Sequence, residues 1–199
     1  MIDGPFRQLL PLYSKKIVRL YSYFKLTPNT ITWFAFIISV FACVAIVRSQ
    51  NILALILWWL GRLLDGTDGI YARATEQTSK LGAYLDILLD MASYSLVVLA
   101  FSIVYPEFQV EWNTILFLYV LCITGALSLG AFEREINKTD SDNRGLKLAS
   151  GLAEGGETGI AYSIFLLFPR LMPFSLWLWI AILAVTVVAR LILARRKLA

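Results

Sequence analysis

The sequence predicts an all-α integral membrane protein, with six transmembrane helices preceded by an amphipathic helix in the membrane interface. Three observations predict it. Hydrophobic residues make up 58% of the 199 and charged residues 16%, with a mean hydropathy of +0.69; a soluble domain averages roughly 45–50% apolar and about 25% charged. Six apolar runs approach the ~20 residues that cross a bilayer, and turn residues separate them. The lysines and arginines gather in alternate connections between those runs.

Residues 1–26 form the first element. Phe6, Leu9, Leu10, Tyr13, Ile17, Leu20, Tyr21 and Phe24 recur at helical spacing, while Arg7, Ser14, Lys15 and Ser22 occupy other faces. This pattern suits a basic amphipathic helix lying in the interface, or one packed on the rim of a bundle. Residues 27–199 form the membrane domain. The stretch Leu26-Thr27-Pro28-Asn29-Thr30 leads into the first span, with Asn29 or Thr30 as N-cap. The six spans are Ile31–Val47, Ile52–Ala72, Leu81–Tyr105, Trp112–Phe132, Leu152–Phe168 and Phe174–Leu193. Breakers between them include Ser49-Gln50-Asn51, Tyr105-Pro106-Glu107 and the run from Pro169 to Pro173.

Charge asymmetry sets the orientation. Fourteen lysines and arginines precede the first span, fill the second-to-third and fourth-to-fifth loops, or follow the last span; the opposite loops hold only Arg48 and Arg170. By the positive-inside rule both termini are expected in the cytoplasm. The basic residues form no clustered patch of the kind that binds nucleic acid. The first apolar run starts about thirty residues in, which fits an uncleaved anchor better than a signal peptide. Cys43 and Cys122 both fall in apolar runs and read as small packing residues. There is no histidine, so catalysis and metal binding fall to carboxylates and other oxygen donors.

Four of those carboxylates stand where a membrane span should have none. The second span holds Asp65, Asp68 and Gly69, followed by Ala72 and Arg73; the third holds Gly82, Asp86 and Asp90. Charged groups inside spans are costly and signal function with a partner. Asp65 and Asp68 are three apart and Asp86 and Asp90 four apart, so each pair shares a helix face. The short loop at 74–80 makes the two helices an antiparallel hairpin. Counting outward from it sets Asp65 level with Asp90 and Asp68 nearly level with Asp86, roughly 10–20 Å from the loop at 1.5 Å per residue. Four carboxylates so close cannot all stay ionised unaided, and cation binding relieves them. Hard oxygen ligands suit Mg²⁺ or Mn²⁺, and two such ions are a common clamp for phosphates. Gly69 and Gly82 allow close approach of a ligand or a helix, and Arg73 can meet a phosphate with two hydrogen bonds.

The pattern Asp65-x-x-Asp68-Gly69-x-x-Ala72-Arg73-x8-Gly82-x-x-x-Asp86-x-x-x-Asp90 resembles the signature of the CDP-alcohol phosphatidyltransferases, with every fixed position filled. The stretch from Leu26 to Thr32 resembles the segment that precedes the first span in many members. The resemblance implies that Asp65, Asp68 and Asp86 hold two metal ions, with Asp90 as further ligand and general base. It implies that Gly69, Ala72, Arg73 and Gly82 line the site for the CDP moiety, and that the protein is a homodimer. The implied reaction transfers a phosphatidyl group from CDP-diacylglycerol to an alcohol or phospho-alcohol and releases CMP. The diacylglycerol chains would remain among the membrane lipids, with the active site on the cytoplasmic side.

A second polar patch is a candidate for the acceptor. Glu154 and Glu157 open the fifth span, and Arg134, Lys138, Arg144 and Lys147 lie in the loop before it. The pattern around Glu154 resembles a bacterial branch of the family, which implies an inner (cytoplasmic) membrane location. It leaves the acceptor open among glycerol phosphate, inositol phosphate, serine and a lipid headgroup. One rival shares the motif: transfer of phosphocholine or phosphoethanolamine from a CDP-amino alcohol to diacylglycerol, in enzymes that are usually longer. A cation transporter or an inactive scaffold fits less well. Neither needs the glycines and Arg73 fixed around the carboxylates.

Overall fold

A computed structural model describes residues 17–136 and 155–198, the last four of the first stretch by their backbone alone. Every regular element among the described residues is helical. The chain forms two compact units, Met1–Pro106 and Glu107–Ala199.

The first unit contains α1 (17–23), α2 (Pro28–Val47), α3 (Asn51–Ala74) and α4 (Lys80–Val104). The end of α1, α2 and α3 is closed by a residue with positive φ: Lys25 (51°), Ser49 (56°) and Glu76 (56°). After each, the chain bonds back five residues: Leu26 N–H to the Tyr21 carbonyl (3.0 Å), Gln50 to Ala45 (2.8 Å) and Gln77 to Ala72 (2.8 Å). This is the left-handed C-terminal cap, built here without the usual glycine. The start of α2 departs from expectation. Thr27, not Asn29 or Thr30, is the N-cap, and its hydroxyl accepts from the Thr30 N–H at 3.2 Å. Pro28 explains the shift, because its fixed φ and missing N–H suit the first helical position and draw the helix start upstream.

α2 packs along both α3 and α4. Ala35, Ser39, Ala42, Ala54 and Gly61 are all buried. A Cβ at Gly61 would stand 2.8 Å from Ser39 Oγ and 3.2 Å from the Ala35 carbonyl. Small residues at that crossing therefore set the α2–α3 distance, as they do wherever membrane helices approach closely. Below the crossing, Tyr21 and Tyr71 meet edge to face at 5.5 Å and cluster with Ile31, joined by Ile17, Val18, Leu26 and Leu64. Thus α1 packs on α3, while Leu20, Tyr23 and Phe24 stay exposed. Residues 1–16 of the expected amphipathic helix lie outside the described residues.

The second unit contains α5 (Gln109–Ile136), α6 (Gly155–Leu167) and α7 (Met172–Leu198), with a one-turn 3₁₀ segment at Pro169–Leu171; another, Pro106–Phe108, straddles the boundary between the units. α7 packs on α5 and touches α6. Trp112, Ile115, Tyr162, Phe165, Leu176 and Leu183 form its core. Tyr119 accepts a hydrogen bond from Trp179 Nε1 at 3.2 Å and shares one with the Tyr162 hydroxyl at 2.9 Å. Arg190 donates to the Cys122 carbonyl at 2.5 Å.

The helices overlap the six expected spans, with two corrections. α5 runs on to Ile136 and α7 to Leu198, past the expected ends at Phe132 and Leu193, because nothing after those positions breaks a helix. Four described segments are long and apolar enough to cross a membrane: Pro28–Val47, Lys80–Val104, Pro106–Phe132 and Pro169–Leu198. α3 has sufficient length at 24 residues but carries Arg62, Asp65, Asp68 and Arg73. The described part of α6 has 13 residues.

Candidate active site

The site is built on the facing surfaces of α3 and α4, with α2 supplying one hydroxyl. Asp65 and Asp68 project from α3 on successive turns, and Asp86 projects from α4. One carboxylate oxygen of each lies within 4.8 Å of the other two. The level placement of Asp68 and Asp86 expected from the short loop is what the structure shows. Asp68 is 6% exposed, and its position is fixed by Thr32 of α2, whose hydroxyl donates to Asp68 Oδ2 at 2.5 Å. The same hydroxyl lies 3.1 Å from the Pro28 carbonyl. Beside Asp68, the Thr67 hydroxyl donates to the Leu64 carbonyl at 2.7 Å and meets the Tyr21 hydroxyl at 2.8 Å. Tyr71 donates to the Leu26 carbonyl at 3.1 Å. The segment before α2 is thereby tied to the carboxylate-bearing face of α3.

Asp90 stands outside this trio. It pairs with Arg62 of α3, one turn before Asp65. Arg62 also reaches Asp65 at 3.5 Å and the Tyr94 hydroxyl at 3.4 Å.

Whether the trio fits a divalent ion can be read from its dimensions. Three oxygens no more than 4.8 Å apart lie within about 2.8 Å of a common centre, so small side-chain rotations bring them to the ~2.0–2.1 Å that Mg²⁺ requires. The donors are hard carboxylates, the right chemistry for Mg²⁺ or Mn²⁺. The residues fit.

Of the residues expected around CDP, Gly69 and Ala72 are half-buried on α3, Arg73 is exposed near its end, and Gly82 lies in the first turn of α4. A Cβ at Gly69 would stand 3.2 Å from Arg73 Nη1, so the guanidinium folds back over the glycine. At Gly82 a Cβ would meet Asn29 Oδ1 and Ser79 Oγ, each at 3.1 Å. Ser79 caps α4 by accepting from the Gly82 N–H at 2.9 Å. The glycine thus keeps open a small space between the starts of α2 and α4.

Of the acceptor candidates, Glu157 lies half-buried in the first turn of α6. Arg134 lies on the last two turns of α5, where only the backbone is described. Glu154, Lys138, Arg144 and Lys147 lie outside the described residues.

Sequence reasoning passed over three residues of the site. Thr32 was visible only as the end of the Leu26–Thr32 stretch, and Arg62 only as a charge inside a span. The three-residue spacing of Arg62 from Asp65, which sets them on one face, was the available signal. Tyr94 carried none.

The model of the CDP-alcohol phosphatidyltransferase family matches residues 25–188. The chain is 32% identical over 147 residues to the inner membrane protein YnjF of Escherichia coli K12, covering 72% of this chain and 71% of that one. It is 30% identical over 144 residues to the archaetidylinositol phosphate synthase of Pyrococcus horikoshii, covering 72% and 70%. In fold it is similar to the phosphatidylinositol phosphate synthase (PgsA1) of Mycobacterium tuberculosis at 20% identity. The TM-score is 0.63 to the crystal structure with CDP-DAG bound, covering 89% of this chain and 91% of that one. It is 0.61 to the complex with manganese and citrate, covering 89% and 87%. The chain therefore belongs to the CDP-alcohol phosphatidyltransferase family and is a membrane transferase of phospholipid biosynthesis.

Proposed function

We propose that this enzyme transfers the phosphatidyl group of CDP-diacylglycerol to a phosphorylated alcohol and releases CMP, with Asp65, Asp68 and Asp86 as metal ligands and Asp90 as general base. The observation that carries the assignment of roles is the division of the four carboxylates. Three converge within 4.8 Å of one another, and the fourth is turned to Arg62. The trio suits cation binding, and Asp90, which shares Arg62 Nη1 with Asp65, would add a further ligand and take the proton. The complexes of the similar M. tuberculosis enzyme with CDP-DAG and with manganese support the same donor and the same kind of cofactor.

In this reading the acyl chains remain in the lipid and the pyrophosphate meets the α3–α4 face. Arg73, folded over Gly69, binds a phosphate oxygen of the CDP moiety, and Gly82 leaves room beside Asn29 for the nucleotide. Asp65, Asp68 and Asp86, with Asp90 completing a two-ion site, would hold Mg²⁺ or Mn²⁺, which would neutralise charge on the pyrophosphate. Asp90 accepts the proton of the acceptor hydroxyl as its oxygen attacks the phosphorus bearing diacylglycerol; the P–O bond to CMP breaks. The preference for a phosphorylated acceptor rests on the basic loop residues Arg134, Lys138, Arg144 and Lys147. Glu154 and Glu157 would bind acceptor hydroxyls.

The wider reading has six spans, including α3 and α6, an interfacial N-terminal helix and both termini in the cytoplasm. The Lys/Arg asymmetry supports that topology. A homodimer rests on the family resemblance, and an inner-membrane location on the printed name of the E. coli relative. The test is a panel of acceptors offered to purified protein with CDP-diacylglycerol and Mn²⁺ in nanodiscs, with the product lipid identified by mass spectrometry. The proposal expects one phosphorylated alcohol to be incorporated and unphosphorylated analogues to be poor. Product from CDP-choline and diacylglycerol, with none from CDP-diacylglycerol, would establish the rival transfer.

A further inference from the structure

Arg62 is a positive charge that cannot leave the carboxylate site. It lies one turn before Asp65 and roughly 16 Å along α3 from Arg73, too deep for its head to reach the end of the helix. Its side chain is 9% exposed. The guanidinium carbon stands 5.0 Å from the centre of the Trp58 ring and 5.1 Å from that of Tyr94, and both aromatic residues are buried. Nη1 is shared by Asp65 at 3.5 Å, the Tyr94 hydroxyl at 3.4 Å and Asp90, and Tyr94 also hydrogen-bonds Asp90. A guanidinium stays charged at any physiological pH, and one held against aromatic faces has little freedom to swing away.

This fixed charge limits what the site can hold. Carboxylates that ligate a metal are ionised. Asp65, Asp68, Asp86 and Asp90 against Arg62 leave three negative charges. One divalent ion reduces these to one, and a second leaves the site positive. Uncompensated charge within a span is costly. The pyrophosphate diester of the donor brings two negative charges and restores the balance. Arg73 is exposed, so water and salt screen it; what remains of its charge opposes the second ion too. We infer that Arg62 makes the second ion conditional on the donor: the carboxylates accept one divalent ion alone and a second only together with CDP-diacylglycerol. The inference rests on the proposed two-ion site and deepens it. It gives a reason for a cation to be buried among metal ligands, where it otherwise only weakens their hold on metal.

The test counts Mn²⁺ bound to protein in nanodiscs by electron paramagnetic resonance, with no acceptor present and with protein-free discs of the same lipid content as blank. Wild type should bind one ion without donor and two with CDP-diacylglycerol, the second marked by spin broadening from its neighbour. Arg62→Met removes the charge and keeps an apolar chain between the rings. It should bind two ions without donor, the second at least about tenfold more tightly than wild type does. Arg62→Lys keeps the charge but loses the planar fork, and it should load like wild type. If the methionine variant does not fold, Arg62→Gln, equally uncharged, takes its place.

Three results would overturn the inference: two ions on donor-free wild type, a single ion on the donor-free uncharged variant, or Arg62→Lys loading like that variant. Failure of the underlying reading is distinguishable before any variant is made. Wild type would then bind no Mn²⁺, or a single ion that CDP-diacylglycerol leaves single.

Discussion

The α2–α3 crossing makes a prediction whose sign differs between two glycines five residues apart on one helix. At Gly61, an alanine Cβ would stand 2.8 Å from Ser39 Oγ, 3.2 Å from the Ala35 carbonyl oxygen and 3.6 Å from the Ser39 amide nitrogen. Ser39 cannot easily yield, because its hydroxyl is buried and donates to that same Ala35 carbonyl at 3.0 Å. Two of the three opposing atoms are backbone, so the helices must separate by a few tenths of an ångström. Overpacking of this kind costs about 1–3 kcal/mol, and replacing glycine by alanine in a helix returns about 1 kcal/mol. The net expectation is a loss of up to about 2 kcal/mol, or a fall in Tm of up to roughly 8 °C for a chain of this size. At Gly66 a Cβ meets nothing within 4 Å. Gly66→Ala should therefore leave Tm unchanged or raise it by a few degrees. Thermal unfolding in detergent, followed by intrinsic fluorescence, compares the two. Ser39→Ala added to Gly61→Ala removes the nearest atom and should recover part of the loss. Equal Tm values for Gly61→Ala and Gly66→Ala would refute the reasoning that a close crossing at Gly61 holds the first unit together.

Three further outcomes follow from the site. Thr32→Val keeps the shape but removes the donor to Asp68; loss of such a supporting bond typically costs about 10–100-fold in metal affinity or activity, and an unchanged Mn²⁺ affinity with unchanged kcat would show that Asp68 does not depend on it. Gly69→Ala sets a methyl 3.2 Å from Arg73 Nη1 and should displace the guanidinium, raising KM for CDP-diacylglycerol roughly 3–10-fold, the equivalent of about 1 kcal/mol. A normal KM would remove Arg73 from the donor site. Tags on either terminus should be protected from protease in sealed right-side-out vesicles and become accessible on lysis; an accessible tag before lysis would reject the six-span topology.

Much of this architecture was legible in the sequence, because it depends on local chemistry. Apolar runs bounded by Ser49-Gln50-Asn51 or by Pro106 and Pro169 locate the helices to within a few residues. The five residues between α3 and α4 leave little freedom in how Asp68 and Asp86 align. What sequence could not supply depends on the third helix and on rotamers. Gly61, Ala35 and Ser39 are unremarkable inside apolar runs, yet their small size lets α2 come close enough for Thr32 to reach Asp68. The separation of Asp90 from Asp86 is invisible in a spacing that places them on one face. Asp90 pairs with Arg62, whose guanidinium lies between the rings of Trp58, four residues before it, and Tyr94, 32 residues after it on the next helix. The N-cap at Thr27 was readable from Pro28, whose preference for the first helical turn outweighs the capping tendency of Asn29 and Thr30.

The most direct test of the account measures metal binding and turnover together in wild type and Asp86→Asn. CMP release from CDP-diacylglycerol in nanodiscs is followed with the acceptor present, first after chelation and then with Mg²⁺ or Mn²⁺ restored. The account predicts that wild-type release stops on chelation and returns with either ion, and that the ion raises the wild-type Tm. Asp86→Asn should remain folded, show no such rise in Tm and lose activity at least 10²-fold, in line with removal of a metal ligand. Release that persists after chelation, or an Asp86→Asn variant that turns over at the wild-type rate, would contradict the assignment of the trio as the metal site.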